Sequence, residues 1–169
     1  MEPQAEYVLR TVEERGVRFV RLWFTDVLGS LKSFAITPAE LETALEEGMT
    51  FDGSAIEGYS RIQESDVLAV PDANTFEIVP WRGSDAPTAR MFCDIQHFNG
   101  DPFPGDPRHV LRRNLVAARE KGYTFFVGPE MEFYYFHSSD FPEPVDNAGF
   151  FDLTHTDMVS ELRRHTITM

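Results

Sequence analysis

A single cysteine, Cys93, stands among 169 residues, so no internal disulfide can form and a reducing compartment is the expected home. Set in an apolar run, Cys93 reads as a small core residue, not a nucleophile. Positive charge is scarce: 15 Lys and Arg face 28 Asp and Glu, a net charge of −13. Nucleic acid and anionic membranes repel such a chain, which argues against nonspecific binding to either. The balance suits cations and cationic partners instead. No apolar run approaches the roughly 20 residues needed to span a bilayer. The N-terminus, with Glu2, Glu6, Glu13 and Glu14, lacks the basic and apolar pattern of a signal peptide. A cytoplasmic location is expected. Gly-rich phosphate loops of the Walker and Rossmann types are missing. None of the five histidines forms a zinc-like pair, and Ser54 has no nearby histidine to activate it. Internal repeats and low-complexity tracts are absent as well.

What is present is enough for a packed core, with 42% hydrophobic and 13% aromatic residues. Residues 4–15 predict a short helix, with Ala5, Val8, Leu9 and Val12 at helical spacing and Gly16 as its stop. Val17 to Phe24 predicts a strand that is apolar on both faces, so each face needs a cover, a second subunit being one candidate. A turn through Gly29 leads to a second strand, Leu31 to Ile36. Thr37-Pro38-Ala39-Glu40 is a helix start in which Thr caps, Pro takes the first position and Glu reaches back. Gly48 ends that helix, and further strands are expected near 67–70, 75–79 and 89–96. The pattern describes an α+β sheet domain.

Residues 97–107, with Gly100, Pro102, Pro104, Gly105 and Pro107, read as a linker. Asp106 then caps a second strong helix that Gly122 stops. A last helical pattern begins near Thr156 and is still running at Met169, so a second domain is expected to have begun without finishing. The expected organisation is an N-terminal helix over 1–16, a sheet domain over 17–105 and an opening segment of another domain over 106–169.

Gly128-Pro129-Glu130-Met131-Glu132-Phe133 places two carboxylates inside the aromatic run Tyr123 to Phe136, an expected strand. In a strand, residues two apart leave the same face with Cα atoms roughly 6.6 Å apart. A solvated face is the ordinary meaning of such a pair. Here the acids interrupt an otherwise apolar element, and buried unpaired carboxylates are costly. Adjacent divalent cations, each taking a hard oxygen ligand, would answer them. A second acidic segment, Phe51-Asp52-Gly53-Ser54, runs on through Glu57, Arg61, Glu64 and Asp66. Asp-Gly is by itself a turn signal. An acid held on such a turn can still act as a base toward an amine or ammonium. Arg61 pairs naturally with Glu57 or Glu64 as a surface ion pair.

Taken together, Phe51-Asp52-Gly53-Ser54, Ile56-Glu57-Gly58, Arg61 to Asp66, Pro71-Asp72 with Phe76 to Trp81, Gly128 to Phe133 and Asn147 to Leu153 resemble type I bacterial glutamine synthetases. The resemblance spans nearly the whole chain in one order. It implies a β-grasp-like N-terminal domain followed by the start of the glutamine synthetase catalytic domain. It further implies that Glu130 and Glu132 ligate two divalent cations, Mg or Mn, with Glu132 nearer glutamate and Glu130 nearer ATP. Asp52 matches the acid that takes a proton from ammonium in a neighbouring subunit's site, with Ser54 on the same loop. Arg61 matches a position used by some members in feedback inhibition by glutamine. ATP, glutamate and ammonium are the implied substrates, and a homo-oligomeric double ring the implied assembly.

Two departures qualify the match. Ala55 stands where many members carry a second serine, and the family's remaining metal ligands and its ATP- and glutamate-binding arginines fall beyond position 169. The chain by itself is therefore expected to be inactive. A γ-glutamyl ligase of the same family acting on a polyamine or ethanolamine is the rival enzyme. A truncated, non-catalytic interaction module is the rival from another class.

Overall fold

The computed structural model describes residues 2–53, 66–82, 86–149, 152 and 159–168. The chain divides into two units, Met1–Phe125 and Phe126–Met169.

In the first unit, helix α1 (Pro3–Glu14) opens with proline in its first turn and buries Ala5, Val8 and Val12. These positions share one helix face, and that face is what holds the helix down. Strand β1 (Phe19–Thr25) alternates as expected, with Val20, Leu22 and Phe24 buried. Strand β2 (Leu31–Ile36) pairs with it antiparallel, from Val20 opposite Ile36 to Thr25 opposite Leu31. Asp26 sets the connecting turn. Its Oδ1 accepts the N–H groups of Leu28 and Ser30, each at 2.9 Å, and Lys32 Nζ lies 3.3 Å from Oδ2. Burial opposes ionisation of Asp26, but the Ser30 amide, Lys32 and the Leu28 amide outweigh it and hold the carboxyl below its ordinary value.

Helix α2 (Pro38–Glu47) starts as the sequence predicts: Glu40 Oε2 accepts from both the amide and the hydroxyl of Thr37, at 2.8 Å each. Leu41 and Ala44 are buried, and Gly48 ends the helix at φ 77°. Strand β3 (Met49–Asp52) follows directly; sequence reasoning did not anticipate it. It pairs antiparallel with β4 (Asp66–Pro71). The short strand β5 (Glu77–Ile78) borders the long β6 (Thr88–Gln96). The strand order is β2-β1-β6-β4-β3, with β5 paired to β6 off that path, and only the β1–β6 pairing within the order is parallel.

The core joins α1 and α2 to one sheet face, where Val8, Leu22, Leu41 and Met91 are all fully buried. Each such side chain contributes about 1.5–3 kcal/mol through burial. The opposite face of β1 finds a partial cover within its own unit. Trp23 meets Phe92 edge-on with centroids 5.7 Å apart, and the Arg90 guanidinium lies 5.5 Å from the Trp23 ring. Phe19, by contrast, remains 49% exposed.

The segment after β6 is tied down. Phe103 is buried and its N–H donates to the Ile95 carbonyl at 2.9 Å. Helix α3 (Pro107–Glu120) begins at Asp106, whose Oδ1 accepts the Arg108 amide at 3.0 Å.

The expected strand from Tyr123 to Phe136, which begins in the first unit and continues into the second, is not formed: the only pairing among its described residues is an isolated bridge from Phe136 to Pro144. The residues have strand propensity, but a strand exists only where another segment satisfies its amides, and the described residues supply no such neighbour. Helix α4 (Ser160–Thr168) realises the last predicted helix, and Tyr135 and Thr166 share a hydroxyl hydrogen bond of 2.9 Å.

Candidate functional site

Asp52 is the last residue of β3, and the register sets it opposite Asp66, the first residue of β4. Both are exposed. Cross-strand partners have Cβ atoms roughly 4.5–5.5 Å apart, and like charges at that range repel. Sequence reasoning singled out Asp52 and missed its pairing with Asp66. The signal was there in the β-branched and aromatic residues of Met49-Thr50-Phe51, but it was masked by reading the segment as a loop after α2. Ser54 and Arg61, together with Ile56-Glu57-Gly58 and Glu64, lie outside the described residues.

Glu130 and Glu132 belong to the second unit, in the run that forms no strand. Both are exposed, as are their apolar neighbours: Phe126 is 86% exposed and Met131 84%. Among the described residues, no three or more His, Cys, Asp and Glu side chains gather into a metal site. The donor chemistry nonetheless fits hard divalent cations, because ionised carboxylates are the oxygen ligands that Mg and Mn prefer. Two carboxylates fill only part of a shell of about six oxygens, so they fit as a partial donor set.

Cys93 is fully buried in β6, and burial pushes its thiol well above the ordinary range. A thiol that does not ionise is no nucleophile, in agreement with its reading as a core residue.

Comparison with known proteins places these residues in a family. Residues 16–97 match the glutamine synthetase β-grasp domain, and residues 104–169 match the glutamine synthetase catalytic domain. The chain belongs to the glutamine synthetase family. Its α+β sheet domain is thus the family's β-grasp domain, and the start of the catalytic domain follows it. The glutamine synthetase of Mycobacterium tuberculosis strain CDC 1551 / Oshkosh is 55% identical over 173 residues, which take in 99% of this chain and 39% of that protein. The glutamine synthetase of Clostridium saccharobutylicum is 46% identical over 163 residues, covering 94% of this chain and 37% of the relative. The chain therefore spans about two fifths of the length of these glutamine synthetases.

Among solved structures, a GmaS/ADP complex aligns with a TM-score of 0.61 and 29% identity over 68% of this chain and 26% of its own. The glutamine synthetase of Plasmodium falciparum, solved by cryo-electron microscopy, aligns with a TM-score of 0.63 over 72% of this chain and 23% of its own. At 23% identity that second likeness speaks to fold alone.

Proposed function

We propose that this chain supplies the β-grasp domain and the opening of the catalytic domain of an ATP-dependent glutamate–ammonia ligase. The observation that carries the reading is the match to both glutamine synthetase domains in their order, at 55% identity over 99% of the chain to a bacterial member. In the proposed reaction the side-chain carboxylate of glutamate attacks the terminal phosphate of ATP, giving an acyl phosphate and ADP. Ammonia then displaces phosphate to leave the amide.

Asp52 is the proposed acceptor of a proton from ammonium, at the end of β3 where the register sets it opposite Asp66. Glu130 and Glu132 are the proposed ligands of Mg or Mn. When bound, the metal offsets negative charge on the transferred phosphoryl group. The glutamates' own task is to hold their carboxylates in place, which is catalysis by position and charge. Ser54 is the proposed companion of Asp52 on the ammonium loop, and Arg61 a proposed contributor to feedback regulation. The same reading extends to a cytoplasmic homo-oligomer arranged as a double ring, in which Asp52 serves the neighbouring subunit, with domain limits at 17–105 and 106–169.

The test is amide formation by the polypeptide from the complete reading frame, with ATP, glutamate, ammonium and Mg or Mn. Glu130→Gln and Glu132→Gln should each lower kcat about a hundredfold or more, and Asp52→Asn should lower kcat/KM for ammonium. Absence of ATP-dependent glutamine formation in the unsubstituted protein would overturn the proposal. The 169-residue chain alone is expected to be inactive, because two carboxylates leave most of the metal shell unfilled. A γ-glutamyl-amine ligase is the second reading, favoured by Ala55 in the ammonium loop. Turnover with putrescine or ethanolamine exceeding that with ammonium would select it.

A further inference from the structure

Helix α3 falls in the residues matched to the catalytic domain, whereas β4 and β6 fall in the β-grasp match. All three lie in the first unit, Met1–Phe125. None of the residues of α3 is buried, and Leu111 and Leu115 remain 60% and 41% exposed. A groove of about 460 Å³ runs between helix and sheet, bounded by Leu111 and Leu115 of α3 and by Phe24, Thr25 and Phe92 of the sheet. The apolar side chains of the helix do not close on the sheet, so burial contributes little to holding it there.

Charge seats the helix instead. Arg108 Nη2 donates a hydrogen bond to Asp72 Oδ2 at 2.7 Å, and Nε of the same guanidinium forms an ion pair with Asp94 Oδ1 at 3.1 Å. Arg112, one turn on, forms an ion pair with Asp94 Oδ2 at 2.8 Å. Both carboxylates are half-buried and fixed by the sheet. The Asp72 amide donates to the Phe92 carbonyl at 2.8 Å, and Asp94 lies within β6 opposite Val70. Asp94 Oδ1 is itself buried, with no hydrogen bond among the described residues. The two arginines answer its charge, and removing a cation from such a carboxylate is strongly destabilising. Asp106 tethers the helix start, where its Oδ2 accepts the Ile95 amide at 3.0 Å.

We propose that Asp72, Asp94, Arg108 and Arg112 form an ionic latch on α3. The helix is docked while these pairs hold and leaves the sheet as one element when they break, with Asp106 as its pivot. The latch spans the two family matches: both carboxylates lie within residues 16–97 and both arginines within residues 104–169. Charge thus decides whether the opening of the catalytic match is docked on the β-grasp sheet. A helix of 14 residues is marginal on its own in water, so the released helix unwinds and its amides exchange with solvent. Arg112 is 57% exposed, which leaves the latch open to weakening by salt. The inference uses no catalytic assignment and stands apart from the ligase reading.

The experiment is hydrogen–deuterium exchange read by mass spectrometry on the complete polypeptide, comparing peptides of α3 with those of β1. Arg108→Gln removes the central cation and should speed exchange in α3 about tenfold or more, with β1 within about twofold of the parent. Arg113→Gln makes the same change of charge on the same helix outside the four-residue cluster, and should leave α3 within about twofold. In the unsubstituted protein, about 1 M NaCl should speed exchange in α3, and it should do so by a smaller factor in Arg108→Gln. Unchanged exchange of α3 in Arg108→Gln overturns the inference. Equal acceleration in β1 does the same, because it marks general destabilisation. An equal response to Arg113→Gln also overturns it, because it marks helix charge alone. If Arg108→Gln does not fold, Asp72→Asn breaks the hydrogen-bonded pair and is judged by the same criteria.

Discussion

Replacing Asp106 with alanine removes a carboxylate that serves two elements at once. Asp106 is 1% exposed, and its oxygens accept the amides of Ile95 and Arg108, each at 3.0 Å. Losing the cap on α3 costs about 1 kcal/mol. Stranding the buried Ile95 N–H without an acceptor adds about 1–3 kcal/mol. The sum is about 2–4 kcal/mol, a large share of the roughly 5–15 kcal/mol that holds a domain folded. Burial holds the Asp106 carboxyl above its ordinary value, against the pull of the Ile95 and Arg108 amides. A raised carboxyl binds its proton more tightly folded than unfolded, so ionisation works against the fold. The group's contribution is greatest below about 3.8 and is lost as pH rises through the folded value. Asp106→Asn keeps one acceptor oxygen and carries no charge, so it should cost less than alanine, and its deficit against the parent should shrink from acid to neutral pH. Urea unfolding followed by circular dichroism, between pH 3 and pH 7, reads both quantities. An alanine variant within about 0.5 kcal/mol of the parent, or an asparagine deficit that grows toward neutral pH, would refute the two-sided role assigned to this carboxylate.

The Asp26 turn should respond to acid in the opposite sense: its carboxyl is held below the ordinary 3.8, so its stabilisation is present above that value and lost as pH falls through the folded one. Asp26→Asn, which keeps the acceptor for Leu28 and Ser30 but drops the pairing with Lys32, should flatten thermal melts between pH 2 and pH 5; an unchanged slope would contradict it. Cys93 should resist a thiol reagent in the native chain and react at once in denaturant, and rapid labelling of the folded protein would show that its burial is overstated. Gly48→Ala should destabilise by more than about 1 kcal/mol, because φ is +77° and an added Cβ would meet Val70 Cγ2 at 3.1 Å and the Ala69 carbonyl at 3.2 Å; a smaller loss in urea would count against it.

The parts of the fold that local chemistry decides were legible in the sequence. Thr37-Pro38-Ala39-Glu40 and Asp106-Pro107 both start helices, because capping involves residues only two to three apart. Strand β3 was missed for the complementary reason. Its four residues follow Gly48 without a break, and only β4, beginning at Asp66, makes them a strand. The aromatic run around Glu130 shows the reverse error: high strand propensity with no described partner to bond to. For the candidate site, the types of residue could be read and their surroundings could not. Glu-x-Glu names a carboxylate pair, whereas the facing of Asp52 and Asp66 depends on a register that no short motif encodes.

The order of strands has a consequence for synthesis. β6 lies in the middle of the sheet, between β1 and β4, yet it is the last of these strands to leave the ribosome. Until residue 96 has emerged, β1 with β2 and β3 with β4 are two separate ribbons, each with an open flank awaiting the same late arrival. Such flanks recruit chaperones or stray strands of other nascent chains. Ribosome-bound chains arrested ahead of Thr88 would therefore stay unstitched, and a few dozen further codons would let the sheet close in one step.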